Sequence, residues 1–159
     1  MKKLISTAAV ILLSIAGIQA QTGTEPAALS IAVNVGIPTN AGVSLAYGAD
    51  LQADFPIAPT TKITASAGYE GYTWKSSPGS FGIIPLLGGV KFNLGERTYA
   101  HGQLGYGIYT TKGGGGSFAY APSLGYFVSQ NLDASVKYLA FSKNKSTTGS
   151  VNLRLAYNF

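Results

Sequence analysis

Few residues in this chain could carry out catalysis or bind a metal. His101 is the only histidine and there is no cysteine, so a zinc site built from several His or Cys ligands is excluded. A Ser-His-acid triad is arithmetically possible, because Ser123 and His101 share one phase of two neighbouring predicted strands. No carboxylate is placed to orient the imidazole, and a histidine hydrogen-bonded to a neighbour such as Gln103 is the better interpretation. We therefore expect no enzymatic activity and no cofactor.

The glycine-rich stretch Gly113–Gly116 also lacks the features of a phosphate-binding site. No Lys-Ser/Thr pair and no predicted helix follow it, and a phosphate-binding loop needs both. The stretch is interpreted as a flexible loop.

The first twenty residues have the pattern of a secretory signal peptide. Lys2 and Lys3 precede an apolar run from Leu4 to Ile18, and Ala20 supplies a small residue for cleavage. The run is shorter than the about 20 residues that a membrane-spanning helix needs. We expect residues 1–20 to be removed, residues 21–28 to form a short periplasmic lead-in, and residues 29–159 to form one folded domain.

Composition favours a β-protein that does not bind nucleic acid. Without Lys2 and Lys3 the chain keeps nine basic residues against six acidic ones, so the mature charge is +3. This charge is small and scattered, unlike the clustered basic surface of a nucleic-acid-binding protein. The 21 glycines, ten tyrosines and seven phenylalanines are typical of strands joined by tight turns.

Apolar and polar residues alternate with period two through eight segments, as expected for strands with two different faces. The predicted strands are 29–37, 42–55, 62–74, 81–94, 98–111, 117–128, 132–141 and 149–159. No helix is predicted after the signal peptide, so only a closed barrel could place this chain in a membrane. Short connections favour an all-β, eight-stranded antiparallel up-and-down transmembrane barrel.

Charged residues inside the strands all fall on the polar phase. A charge that faces lipid at mid-depth costs about 2–4 kcal/mol, so this segregation predicts lipid on the apolar side and a polar lumen. A soluble barrel would instead bury its many apolar-phase tyrosines in an interior that barely holds side chains. We expect an ion-pair network that plugs the lumen, because charges in a poorly solvated interior must pair. Its members are Asp50, Glu70, Lys91, Lys137 and Arg154.

The last strand alternates up to an aromatic residue at the end of the chain. Its apolar positions are Val151, Leu153, Leu155, Tyr157 and Phe159. This stretch resembles the C-terminal targeting strand of Gram-negative outer membrane barrels. The resemblance implies that the barrel-insertion machinery recognises these five residues and that Phe159 then lies at the periplasmic interface.

The mature chain as a whole resembles the small outer membrane β-barrel proteins of the outer membrane protein A and X type. The resemblance rests on the signal peptide, on Phe81–Phe92 leading into Tyr99–Tyr109, and on Leu153–Phe159. It implies a monomer in the outer membrane, in contact with its lipids. This fold hosts many roles, and we expect a structural or interaction barrel with a closed lumen. The alternative is a narrow pore or carrier for a small solute, and a lipid-modifying enzyme is the remote alternative.

Overall fold

The computed structural model describes residues 26–111 and 113–159, and the predicted signal peptide lies outside these ranges. The described chain forms eight strands. They are β1 (Ala28–Pro38), β2 (Val43–Ala58), β3 (Thr61–Trp74), β4 (Ser80–Asn93), β5 (Thr98–Tyr109), β6 (Gly116–Phe127), β7 (Leu132–Lys143) and β8 (Ser146–Asn158). No helix in the described residues is long and apolar enough to cross a membrane.

Each strand pairs antiparallel with the next one along the chain, and β1 pairs with β8 to close the sheet. Closure leaves no strand edge unpaired. The predicted fold class, an eight-stranded antiparallel up-and-down barrel, is confirmed. Phe159 continues this closure beyond the last strand, because its backbone N–H donates to the carbonyl of Leu29 at 2.9 Å.

The barrel has two ends. The turn end carries the connections 59–60, 94–97 and 128–131 together with both ends of the barrel domain, and the loop end carries the connections 39–42, 75–79, 110–115 and 144–145. The predicted strands 132–141 and 149–159 leave residues 142–148 as a loop, and this prediction is wrong. Asn144 and Lys145 have φ values of 48° and 66°, which is the left-handed pair of a two-residue hairpin turn, so β7 and β8 continue almost to each other.

The predicted assignment of each strand's apolar phase to the outer surface and its polar phase to the lumen is correct for nearly all of the barrel wall. The apolar phase points outward, and Leu29 and Val33 remain 52% and 59% exposed, whereas the polar phase is buried inside. Val43 is an exception to the predicted phase, because it is buried in the lumen while Leu45 faces outward. A register shift between Val43 and Leu45 inserts an extra residue, and such a bulge reverses the side-chain direction.

Four tyrosines on the outer surface lie over glycines of a neighbouring strand, in the half of the barrel nearer the loop end. The pairs are Tyr47 over Gly71, Tyr69 over Gly82, Tyr106 over Gly116 and Tyr138 over Gly149. A Cβ atom on Gly71 would lie only 2.6 Å from Cζ of Tyr47. The rings therefore use the space that the glycines leave, an arrangement that stabilises strand pairs containing glycine.

Candidate functional site

Inward-facing side chains fill the lumen, and the half nearer the turn end is polar. Asp50 is its most connected member. The guanidinium of Arg154 donates to Asp50 from Nη2 to Oδ1 at 2.8 Å and from Nε to Oδ2 at 3.2 Å. Asn34 Nδ2 donates to Oδ2 at 3.1 Å, and Lys137 Nζ lies 3.5 Å from the same oxygen. One carboxylate on β2 thus joins side chains from β1, β7 and β8 across the lumen.

Arg154 extends this cluster towards the turn end. Its Nη1 lies 3.7 Å from Oδ1 of Asp133. Tyr99 Oη donates to the same oxygen at 2.6 Å, and Asn158 Nδ2 donates to Asp133 Oδ2 at 3.0 Å. Tyr99 and Asp133 are both almost completely buried, and the Asp133 carboxylate is stabilised there by two hydrogen-bond donors and by the Arg154 guanidinium.

A second ion pair lies at the same end of the lumen. Lys91 Nζ is 2.5 Å from Oδ2 of Asp54, and Gln52 Nε2 donates to the other carboxylate oxygen at 2.6 Å. The ammonium group also lies over the ring of Tyr99, 4.8 Å from its centroid. Tyr99 therefore contacts both ion-pair clusters, through its hydroxyl and through its ring.

Glu70 lies closer to the loop end and is not part of either cluster. Its side chain is 1% exposed, no salt bridge joins it to another described residue, and its Oε1 has no hydrogen-bond partner. Tyr72 Oη and Asn152 Nδ2 lie nearby on the lumen side, and both pair with Ser150 Oγ, at 3.2 Å and 2.9 Å. Glu70 thus marks the boundary between the polar half of the lumen and the half that follows.

His101 and Ser123 do not form a catalytic pair. Ser123 Oγ donates to the backbone carbonyl of His101 at 3.4 Å, while the imidazole Nε2 pairs with Oγ1 of Thr64 at 2.8 Å. Gln103, the neighbour that we expected beside His101, donates instead to Ser66 Oγ at 2.9 Å. His101 is buried in the lumen wall, and its geometry is that of a structural hydrogen bond.

The half of the lumen nearer the loop end is filled by apolar side chains. The largest members of this apolar layer are Tyr72, Ile83, Leu87, Leu139 and Phe141, and each is at most 5% exposed. Phe81 stacks on Tyr72 with ring centroids 5.1 Å apart. Glycine gives the rings room here as well, because a Cβ atom on Gly107 would lie 2.5 Å from Cδ1 of Phe141.

Of the five residues expected to form one network, the structure brings three together. Asp50, Lys137 and Arg154 meet, Lys91 pairs with Asp54 instead, and Glu70 has no ionic partner within 4.0 Å among the described residues. The prediction named neither Asp54 nor Asp133 as a member, although both lie on the polar phase.

The sequence contains a signal for the apolar layer that the prediction did not use. Phe81–Leu87 is apolar on both phases of its strand, and Leu139 and Phe141 occupy the otherwise polar phase of β7. Apolar residues on the lumen phase at the same height of several strands indicate an interior that is packed instead of hydrated. Among the described residues, no group of three or more His, Cys, Asp or Glu side chains could hold a metal ion.

Comparison with known proteins identifies the fold of this chain but finds no family or sequence relative. No protein-family model matches the chain, and no curated protein sequence matches it. Several solved structures match it. The barrel is similar to Ail, the attachment invasion locus protein of Yersinia pestis, at a TM-score of 0.61 and 19% identity over 84% of this chain and 97% of that one.

Two further solved structures have the same architecture. The N-terminal β-barrel domain of Pseudomonas aeruginosa OprF matches at a TM-score of 0.62 and 12% identity, over 83% of this chain and 97% of that domain. The outer membrane enzyme PagL matches at 0.63 and 15%, over 80% and 98%. The fold is therefore that of the small outer membrane barrels, a class that includes at least one enzyme.

Proposed function

We propose that this chain is a small integral outer membrane protein with a structural or interaction role and a closed lumen. The apolar outer wall of the barrel would face lipid. The turn end would face the periplasm, and the loop end would face the exterior of the cell. The barrel would reach the membrane through the insertion machinery, guided by β8 and Phe159, and would remain a monomer. The closed strand pairing supports the last point, because it leaves no edge for another copy to extend.

One observation carries the closed-lumen proposal: two layers of different chemistry cross the interior one above the other. The polar layer holds Asp50, Lys137 and Arg154 in mutual contact, and the apolar layer holds Leu139 and Phe141 fully buried. A solute crossing the barrel would have to break the buried ion pairs and also displace close-packed rings. Eight strands enclose an interior that side chains can fill completely.

Single-channel recording in planar bilayers tests this proposal. We expect the purified mature protein, folded as judged by heat-modifiable migration on gels, to give no steady openings. Steady openings from such protein would contradict the closed lumen and favour the narrow pore or carrier. Recovery of the protein in the soluble periplasmic fraction would contradict the outer membrane placement itself.

The similarity to PagL makes a lipid-modifying enzyme the second candidate. A groove of about 480 Å³ on the outer wall is lined partly by His101 and Ser123, but the His101 imidazole points to Thr64 inside the lumen. We expect lipid extracted from cells expressing the Ser123→Ala variant to match lipid from cells expressing the wild-type chain. A lipid species that appears with the wild-type chain and disappears with Ser123→Ala would establish the enzyme.

A further inference from the structure

The charges of this barrel are distributed unequally between its two ends. Four of the acidic side chains, Asp50, Asp54, Glu70 and Asp133, are buried in the lumen, and Glu96 is exposed at the turn end. Among the described residues the loop end carries no Asp or Glu. It does carry three lysines, Lys75, Lys143 and Lys145, and the sequence adds Lys112, which lies outside the described residues.

The three described lysines, which we call the lysine rim, are held close to the barrel wall. Lys75 directly follows β3, Lys143 is the last residue of β7, and Lys145 belongs to the two-residue turn before β8. Lys143 Nζ donates to the carbonyl of Gly114 and lies 5.4 Å from the ring centroid of Tyr109. No long loop lifts these charges away from the strands.

Hydrogen bonds between connections fix the rim further. The backbone N–H of Lys75 donates to the carbonyl of Gly42 at 2.9 Å. Asn40 Nδ2 donates to the carbonyl of Thr147 at 2.6 Å, and Asn40 Oδ1 accepts from the N–H of Gly149 at 2.9 Å. The connection 39–42 is thus bonded to the connection that carries Lys75 and to the start of β8, which directly follows Lys145, so the backbone positions of these two lysines are held relative to one another.

The position of the rim relative to the aromatic residues indicates its height in a membrane. The outward tyrosines that cover glycines lie on the barrel wall just below the loop end, whereas Trp74 lies on the lumen phase and packs on Phe81, with ring centroids 5.1 Å apart. Aromatic belts mark the interface between hydrocarbon and headgroups. Lysines directly beyond such a belt lie at the level of the headgroups, where each Lys attracts anionic lipid.

We propose that the two exposed members of the lysine rim, Lys75 and Lys145, bind the phosphate groups of lipids in the leaflet at the loop end, while Lys143, on the lumen phase of β7, stays bonded to Gly114. The inference rests on the proposed membrane placement but not on the closed lumen. Lipid phosphate is the partner that this geometry favours over a soluble polyanion, because the short connections keep the ammonium groups beside the bilayer.

Native mass spectrometry of the full mature barrel in a neutral detergent tests the proposal. The probes are diphosphoryl lipid A, the same lipid after dephosphorylation, and soluble polyphosphate. The test variant is Lys75→Gln/Lys145→Gln, which leaves the contacts of Lys143 in place. The matched control is Lys62→Gln/Arg97→Gln, which removes two positive charges at the turn end. All proteins are first shown to be folded by their heat-modifiable migration.

We expect the rim variant to weaken binding of diphosphoryl lipid A about thirtyfold, at about 1 kcal/mol per lysine, and the control to change it less than about twofold. Added salt should weaken wild-type binding, because it screens exposed charges. Equal binding by the rim variant, or equal binding of the dephosphorylated lipid, would overturn the proposal. Polyphosphate bound as tightly as the lipid would also overturn it, in favour of a soluble polyanion.

Failure of this inference can be told apart from failure of the proposed function. Steady conductance of the wild-type barrel would refute the closed lumen and leave the lysine rim untouched. A folded, inserted, non-conducting barrel without phosphate-dependent lipid binding would refute the lysine rim alone. A chain that does not insert into bilayers would refute both.

Discussion

Arg154 on β8 and Asp50 on β2 are joined by two nitrogen atoms of one guanidinium, although β1 lies between their strands. The Nη2–Oδ1 and Nε–Oδ2 distances are 2.8 and 3.2 Å. Paired donors of this kind fix orientation as well as distance. The contact links strands on both sides of the point where the first and last strands close the barrel.

Asp50→Ala should destabilise the barrel more than Arg154→Ala. Removal of Asp50 leaves Lys137 buried without a carboxylate within 4.0 Å among the described residues and leaves Arg154 only its 3.7 Å contact with Asp133, and an uncompensated buried charge costs about 3–5 kcal/mol. After Arg154→Ala, Asp50 still has Lys137 and Asn34, so the loss should be smaller. Urea unfolding in vesicles, followed by heat-modifiable gel migration, would measure both free energies of unfolding.

Two comparisons make that experiment specific. Adding Lys137→Met to Asp50→Ala should recover part of the lost stability, because one unpaired cation is removed. Lys75→Ala, at an exposed position, should leave the free energy of unfolding nearly unchanged. Unchanged stability of both Asp50→Ala and Arg154→Ala would refute the idea that these ion pairs support the barrel.

Phe141→Ala should destabilise the barrel without opening it. The ring is fully buried in the apolar layer, and truncation of such a side chain costs about 3–5 kcal/mol. The polar layer still crosses the lumen, so single-channel recordings should stay silent. The combination of Phe141→Ala with Asp50→Ala and Arg154→Ala should conduct if it folds. Steady openings of Phe141→Ala alone would show that the polar layer does not close the lumen.

Tyr47→Leu should lower the free energy of unfolding, because it removes the cross-strand contact between the Tyr47 ring and Gly71. The variant keeps an apolar outward side chain but uncovers Gly71, which the Tyr47 ring contacts closely. Cross-strand pairs of this kind contribute about 0.2–1 kcal/mol, so we expect a loss of that size in urea unfolding. Tyr126→Leu is the control, because Tyr126 is also an outward tyrosine, 45% exposed, and covers none of the described glycines. Equal losses in the two variants would contradict a specific role of the glycine contact.

The sequence predicts the barrel well because a membrane barrel imposes one simple rule on every strand. A strand between lipid and lumen must alternate, so the phases of β1 and β8 can be read directly from their residues. Bulges break this rule locally. The inward direction of Val43 depends on a register shift, and nothing in the alternation of residues 42–55 indicates one.

The contacts inside the lumen are harder to predict. The phase of a strand identifies which residues face inward but does not determine which of these side chains contact one another. Asp54 and Glu70 share a phase, yet Asp54 meets Lys91 whereas Glu70 meets no cation among the described residues. The difference comes from stagger around the barrel, which sets the height of each residue. Stagger depends on the register of all eight strands together, and a single strand does not reveal it.

Removal of the Phe159 side chain should impair insertion in cells much more than the stability of the finished barrel. The side chain is 75% exposed and makes an edge-to-face contact with Tyr157 at 5.3 Å, so Phe159→Ala removes little packing. Its backbone bond to Leu29 is retained. We expect the variant to refold in detergent with nearly unchanged urea stability, while its amount in the outer membrane fraction falls several-fold. Phe92→Ala removes another outward phenylalanine near the turn end, 48% exposed, and should insert normally. Equal insertion of Phe159→Ala and Phe92→Ala would show that Phe159 is an ordinary lipid-facing residue and not part of an insertion signal.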